Sequence, residues 1–151
     1  MTHDEIIAAT AAMLRCDLMF EQWSEHKDEL LKLYPGFASG DFTADDRIMI
    51  QPSSSYLILG VALLFAVIEF LNDRKVVFPE SIRSDVAELY PKLKEFRNCV
   101  FHPQVDLLSK RQFALLEHPN SLTTLANIHR ELGNYLRVLL EKMPVNNQKQ
   151  L

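Results

Sequence analysis

Thirteen consecutive residues, Tyr56 to Ile68, carry no charge and offer an apolar side chain or a glycine at every position. Such a run has to be covered on all sides, because water would otherwise meet apolar surface at every turn of the chain. It falls short of the roughly 20 residues that a bilayer-spanning helix needs. The run therefore predicts a central, most buried helix from Ser54 to about Arg74, opened by the capping residues Ser53-Ser54-Ser55. No membrane segment is expected. Glu69 interrupts the apolar stretch Val61 to Leu71. It either faces the surface near the helix end or is buried against a partner, since a buried carboxylate needs one.

The other elements assemble around this helix. Thr2-His3-Asp4-Glu5 has the form of a capping box, with Thr2 capping and Glu5 reaching back. It predicts a long helix from about Asp4 to Tyr34. Ile6, Ile7, Met13, Leu14 and Leu18 supply its early apolar part, and Trp23, Leu30 and Leu31 its later part. Pro35-Gly36 stops it. Residues 36–53 hold Gly, Ser, Asp and Pro and read as a long loop, with a short helical turn near 44–49. Residues 75–80 read as a connection. Ser81 is placed to cap a third helix, Ile82 to Tyr90, which Pro91 either kinks or restarts as far as Phe101. A short helix is expected over 108–118, closed by Pro119. A last one begins at Asn120 or Ser121, with the stripe Leu122, Leu125, Ile128, Leu132, Leu136, Leu139 and Met143. Strand-like alternation is confined to Val76-Val77-Phe78. The fold class is all-α, an up-and-down bundle of four to five main helices in one domain over residues 1–144. Residues 145–151 read as a disordered tail.

Charge is unevenly spread along the chain. The net charge is −4, which disfavours a generic nucleic-acid binder. Residues 1–46 carry a net −7, whereas residues 90–111 carry +3, from Lys92, Lys94, Arg97, Lys110 and Arg111 against Glu95 and Asp106. The basic segment is either a solvated face or the lining of a phosphate groove. The two cysteines, Cys16 and Cys99, make no disulfide framework and suit a reducing compartment. The first residues lack the character of a signal peptide, so a cytoplasmic location is expected.

The stretch with the most chemistry is Phe96-Arg97-Asn98-Cys99-Val100-Phe101-His102-Pro103. Arg97 presents a fixed fork of donors suited to phosphate oxygens. His102 can take or give a proton near neutral pH. Pro103 disfavours helical geometry at His102, which places that imidazole at a helix end, where the dipole favours its protonated form. Spacing alone is weak. With 8 Arg and 5 His in the chain, an Arg followed by His after four to six residues arises about once by chance. Arg111 and His118 form a second such pair, but they enclose an ordinary amphipathic segment. Asn98, adjacent to Arg97 and four residues before His102, shares a helix face with that histidine. The plain alternative is a helix-end histidine bonded to a carbonyl, beside an arginine in a surface ion pair.

With Arg97-Asn98-Cys99-Val100-Phe101-His102 in place, the sequence resembles the HEPN family, small all-helical domains marked by Arg, a polar residue, a short gap and His. The resemblance in motif covers six residues. It implies a homodimer whose cleft works as a metal-independent endoribonuclease, with Arg97, His102 and Asn98 catalytic. It also implies that Glu69 orients Arg97, as acidic residues do in some members. Lys94, Lys110 and Arg111 are the candidate substrate contacts. Residues five apart on a helix differ by about 140° in direction, so a single chain makes a poor Arg–His site, and a two-fold axis beside residues 91–103 would bring two of each together. RNA is the candidate substrate, and an antitoxin or other partner protein the candidate ligand, as in toxin–antitoxin or defence modules. Some members have lost catalysis, so a non-catalytic dimeric module that binds a protein, nucleotide or RNA is the alternative. No cofactor is expected. Metal binding by Cys99 and His102 would need two further ligands, from Cys16, His118 or His129, and no metal is expected.

Overall fold

The computed structural model describes residues 1–33, 44–101, 115 and 120–142. These residues form four helices and no strand: α1 (His3–Leu33), α2 (Ala44–Asp73), α3 (Glu80–Phe101) and α4 (Ser121–Lys142). The chain is an all-α helical bundle. The expected helix over 108–118 lies outside the described residues except for Leu115, which is helical and buried. Residues 145–151 also lie outside them.

The capping box is present as the sequence writes it. The Thr2 amide donates to Glu5 Oε2 at 2.8 Å, and the Glu5 amide donates to Thr2 Oγ1 at 3.2 Å. Two of the amides that helix geometry leaves unpaired are thereby satisfied. The inward face of α1 follows a strict three-and-four spacing, with Ile6, Ala9, Met13 and Cys16 buried and Phe20 and Trp23 packed beside them. Ile7, Leu14 and Leu18 belong to a different stripe and are exposed. Apolar character alone did not separate the two.

α2 begins ten residues earlier than the sequence indicated. The turn expected near 44–49 is helical, and the helix runs on without a break through 50–53, read as loop, into the core run, with Pro52 inside it. Downstream, α2 buries Val61, Ala62, Leu64, Phe65, Val67, Ile68 and Leu71, while Leu59 and Ala66 lie on an outer stripe that stays exposed. Ser55–Asp73 is long and apolar enough to cross a membrane by length and composition, and half of that window is buried within the bundle. α2 ends in a hydrogen-bonded cap, with Val76 donating to the Leu71 carbonyl and Lys75 to that of Asn72. Lys75 takes φ 54° to close it. Val76 and Phe78 then pack on the core, in a connection with no strand.

α1 packs on α2 and α4, and α3 packs on α2 and α4. The α1–α2 pair runs antiparallel: Glu5 meets Arg74 at one end, and Cys16 donates to the Gly60 carbonyl midway, at 3.5 Å. Gly60 has a reason to be glycine, since a Cβ there would stand 2.8 Å from Phe20 Cε1. α3 is one helix straight through Pro91, neither broken nor restarted. It starts at Glu80, so Ser81 lies in the first turn instead of capping it, and its hydroxyl donates to Glu131 of α4 at 3.3 Å. The buried stripe of α4 is Ser121, Leu125, Ile128, Leu132 and Leu136, whereas Leu122 is exposed. Asn120, at φ 60°, turns the chain into the helix in the left-handed region that asparagine tolerates.

Candidate functional site

The inward stripe of α3 is Ile82, Val86, Leu89, Leu93 and Phe96, all buried. Phe96 is the last large anchor before the motif, and its burial sets the rotation of the following turn. Arg97 consequently emerges at the boundary of the core, with its side chain 28% exposed. The facing turn of α2 runs from Phe65 to Glu69. Tyr90 and Arg97, about two turns apart on α3, both reach it, so α3 crosses α2 there. The Tyr90 ring lies 5.3 Å from that of Phe65, and the Arg97 guanidinium lies 5.4 Å from the same ring. That is within the range of a cation–π contact.

Glu69 faces Arg97. Nη2 of Arg97 donates to Oε1 at 2.9 Å and to Oε2 at 3.2 Å, so one nitrogen spans both oxygens of a carboxylate that is itself only 30% exposed. The Nε–H of Arg97 is buried and has no hydrogen-bond partner among the described residues. Among the described residues the guanidinium is thus anchored through Nη2, with its Nε–H left without a partner. A buried donor without a partner is costly, and an arriving anion oxygen would relieve that cost.

Asn98, the next residue on α3, is half-buried. Lys94, one turn before Arg97, is exposed. α3 is helical through Phe101, one residue short of His102-Pro103. His102, Lys110 and Arg111 lie outside the described residues, as does the expected dimer axis beside residue 103. The structure therefore joins Arg97 to Glu69 and carries Asn98 and Lys94 on the same helix.

A second cluster gave no sequence signal, because its members are 112 positions apart. His129 of α4 stands with Nε2 3.0 Å from Asp17 Oδ1 of α1, not aligned as a hydrogen bond. The edge of its ring meets Phe20 at 5.1 Å. Burial pushes the imidazole below its ordinary pKa, and the Asp17 carboxylate partly opposes that shift. His129 borders a recess of about 350 Å³, otherwise lined by Phe20, Trp23, Leu57, Val61, Leu122, Leu125 and Ala126. Cys16, once a distant metal candidate, is buried with its thiol pushed up to about 12 by desolvation, which disfavours the thiolate that a metal would need. Among the described residues, no three His, Cys, Asp or Glu side chains gather as a metal site would require. Comparison with protein-family models, with curated proteins and with solved structures finds no match to this chain.

Proposed function

We propose that the protein is a HEPN-like, metal-independent endoribonuclease that works as a homodimer, as the toxin or defence component of a toxin–antitoxin or defence module. The observation that carries this reading is Arg97 itself. It sits one residue before Asn98 and five before His102, is braced by Glu69, and keeps a buried Nε–H that finds no partner among the described residues. In the proposed cleft the RNA 2′-hydroxyl attacks the adjacent phosphorus, forming the 2′-O–P bond as the P–O5′ bond breaks. His102 of one protomer takes the 2′ proton, and the same residue of the other returns a proton to the departing 5′ oxygen. Arg97 stabilises the charge that builds on the non-bridging oxygens. The ends are a 2′,3′-cyclic phosphate and a 5′-hydroxyl. DNA is refused because it has no 2′-hydroxyl. Asn98 steadies the imidazole or a phosphate oxygen, and Lys94, Lys110 and Arg111 supply longer-range attraction to the backbone.

The test is cleavage of mixed RNA in EDTA. Wild type should cut, leave cyclic phosphate ends, and stall at a 2′-deoxy nucleotide. His102→Ala should lower the rate about 10²–10⁴-fold, and Arg97→Ala about 10²–10³-fold. Intact RNA after incubation with the wild type, or wild-type rates in both variants, would overturn the proposal. The second reading is a non-catalytic module that binds a protein, a nucleotide or RNA through the same residues. Two observations favour it: the net charge of −4 and the Glu69 carboxylate that already neutralises Arg97.

A further inference from the structure

Gly133 lies midway along the 22-residue α4, where glycine costs about 1 kcal/mol relative to alanine. Gly60 justifies that cost by its contact with Phe20, but Gly133 does not. Among the described residues, nothing beyond its chain neighbours and the adjoining backbone of α4 comes within 4 Å of a Cβ built there. It opens instead into a recess of about 310 Å³ between α1 and α4, bounded by Met13, Leu14 and Asp17 on one side and by Leu136, Arg137 and Leu140 on the other. Beside this recess runs the outer stripe of α1: Ile7, Leu14 and Leu18 are 46%, 59% and 55% exposed, with exposed Ala11 between them. The spacing of four, three and four along Ile7, Ala11, Leu14 and Leu18 is that of a helix-pairing seam.

The charges beside this surface are divided between its two helices. α1 exposes Asp17, Glu21 and Glu25 against one cation, Arg15, and α4 exposes Arg130 and Arg137 against one carboxylate, Glu141, so α1 is net acidic here and α4 net basic. A foreign helix of either charge would be opposed by one of the two walls. A second copy of this chain, turned about a two-fold axis parallel to the helices, lays α1 of each protomer on α4 of the other. The acidic wall then meets the basic one, twice.

We propose that the α1/α4 face is a self-association surface, on which the Leu14–Leu18 ridge of one protomer packs over Gly133 of its partner. The four helices so joined form an intermolecular bundle in which neighbours run antiparallel. α1 and α3 both flank α2 and α4, so this surface is separate from the cleft proposed beside residues 91–103 and does not depend on RNA cleavage. If both contacts form with their two-fold axes crossing at right angles, the assembly is a tetramer. If only this one forms, it is a dimer.

The proposal is tested by the mass in solution at tens of micromolar, from analytical ultracentrifugation. Gly133→Leu fills the recess from a position with free space above it and improves helix propensity, so it should keep the helix content seen by circular dichroism. Leu14→Glu puts a charge on the ridge at an already exposed site and decides the matter if Gly133→Leu misfolds. Each variant should halve the wild-type mass, while Val77→Glu, at a 70% exposed apolar site elsewhere, should leave it unchanged. A monomeric wild type, or wild-type mass in both Gly133→Leu and Leu14→Glu, would overturn the proposal.

Discussion

At the scale of single residues, the Glu69–Arg97 pair is the most informative contact, because its two members are not worth the same apart as together. Removing one partner strands the other in a half-buried site, whereas replacing both with apolar groups leaves nothing unpaired. Glu69→Leu alone should lower stability by about 1–3 kcal/mol, towards the low end because water still reaches both side chains. The double variant Glu69→Leu/Arg97→Met should return to within about 1 kcal/mol of wild type. Urea unfolding of both variants checks this, and simple additivity of the two changes would show that the pair is uncoupled. Gly60 offers a second residue-level test. Alanine there would gain up to about 1 kcal/mol of helix propensity. It would also force a Cβ to 2.8 Å from the Phe20 ring, and such overpacking costs about 1–3 kcal/mol. The clash outweighs the gain, so Gly60→Ala should lower the melting temperature by roughly 2–8 °C. A rise on calorimetry would mean that the α1–α2 contact is looser than its geometry indicates.

At the scale of elements, the sequence was readable wherever a local signal and the burial pattern agreed. The Thr2–Glu5 box marks the start of α1, the apolar run marks α2, and Leu125-x-x-Ile128-x-x-x-Leu132 marks the buried face of α4. It misled wherever a strong local signal was overridden. Pro52 argued for a loop but sits inside α2, and Pro91, read as a kink or a restart, sits inside a continuous α3. In α3 the large side chains on either side, Leu89 and Leu93, are anchored in the core, and that burial holds the helix across the proline. The Ile7–Leu18 stripe could not be placed from sequence for a different reason. Apolar periodicity cannot say which of two adjacent faces meets α2. Glu69 lay between two readings, because its partner is 28 positions away and only packing brings the two together. The cap of α2 supplies a prediction of its own. Lys75 holds φ 54°, a conformation that costs a side-chain-bearing residue about 1–2 kcal/mol. Glycine removes that cost but gains freedom in the unfolded chain, worth about 0.4–1 kcal/mol. Lys75→Gly should therefore raise the urea midpoint by the equivalent of about 0.5–1 kcal/mol, and Lys75→Ala should not. Equal midpoints for glycine and alanine would show that the backbone strain is absent.

At the scale of the whole molecule, α1 is tied to its two neighbours by contacts that titrate, and both are lost in the same direction of pH. His129, packed between α4 and α1, is held below its ordinary pKa of 6.5 chiefly by burial. The folded chain therefore binds that proton less readily than the unfolded chain does. Stability from this site is complete above about pH 6.5 and is lost as pH falls from there towards the lower folded value. Glu5 is held below the ordinary carboxylate value of 4.5, first by the Thr2 amide and then by Arg74. Its contribution is present above that value and disappears as pH falls through the depressed one. Arg74 is itself stacked 3.5 Å over Phe70, so protonating Glu5 loosens the α1–α2 end of the bundle without dispersing its cation. Two separate declines should follow on acidification. The urea midpoint of wild type should drop between pH 7.5 and 5.5 and again between pH 5 and 3. His129→Asn should flatten the first drop alone, and Glu5→Gln the second alone. A first drop of wild-type size in His129→Asn would assign it to another histidine and show that the α1–α4 contact tolerates the imidazolium, with Asp17, 3.0 Å away, compensating its burial in full.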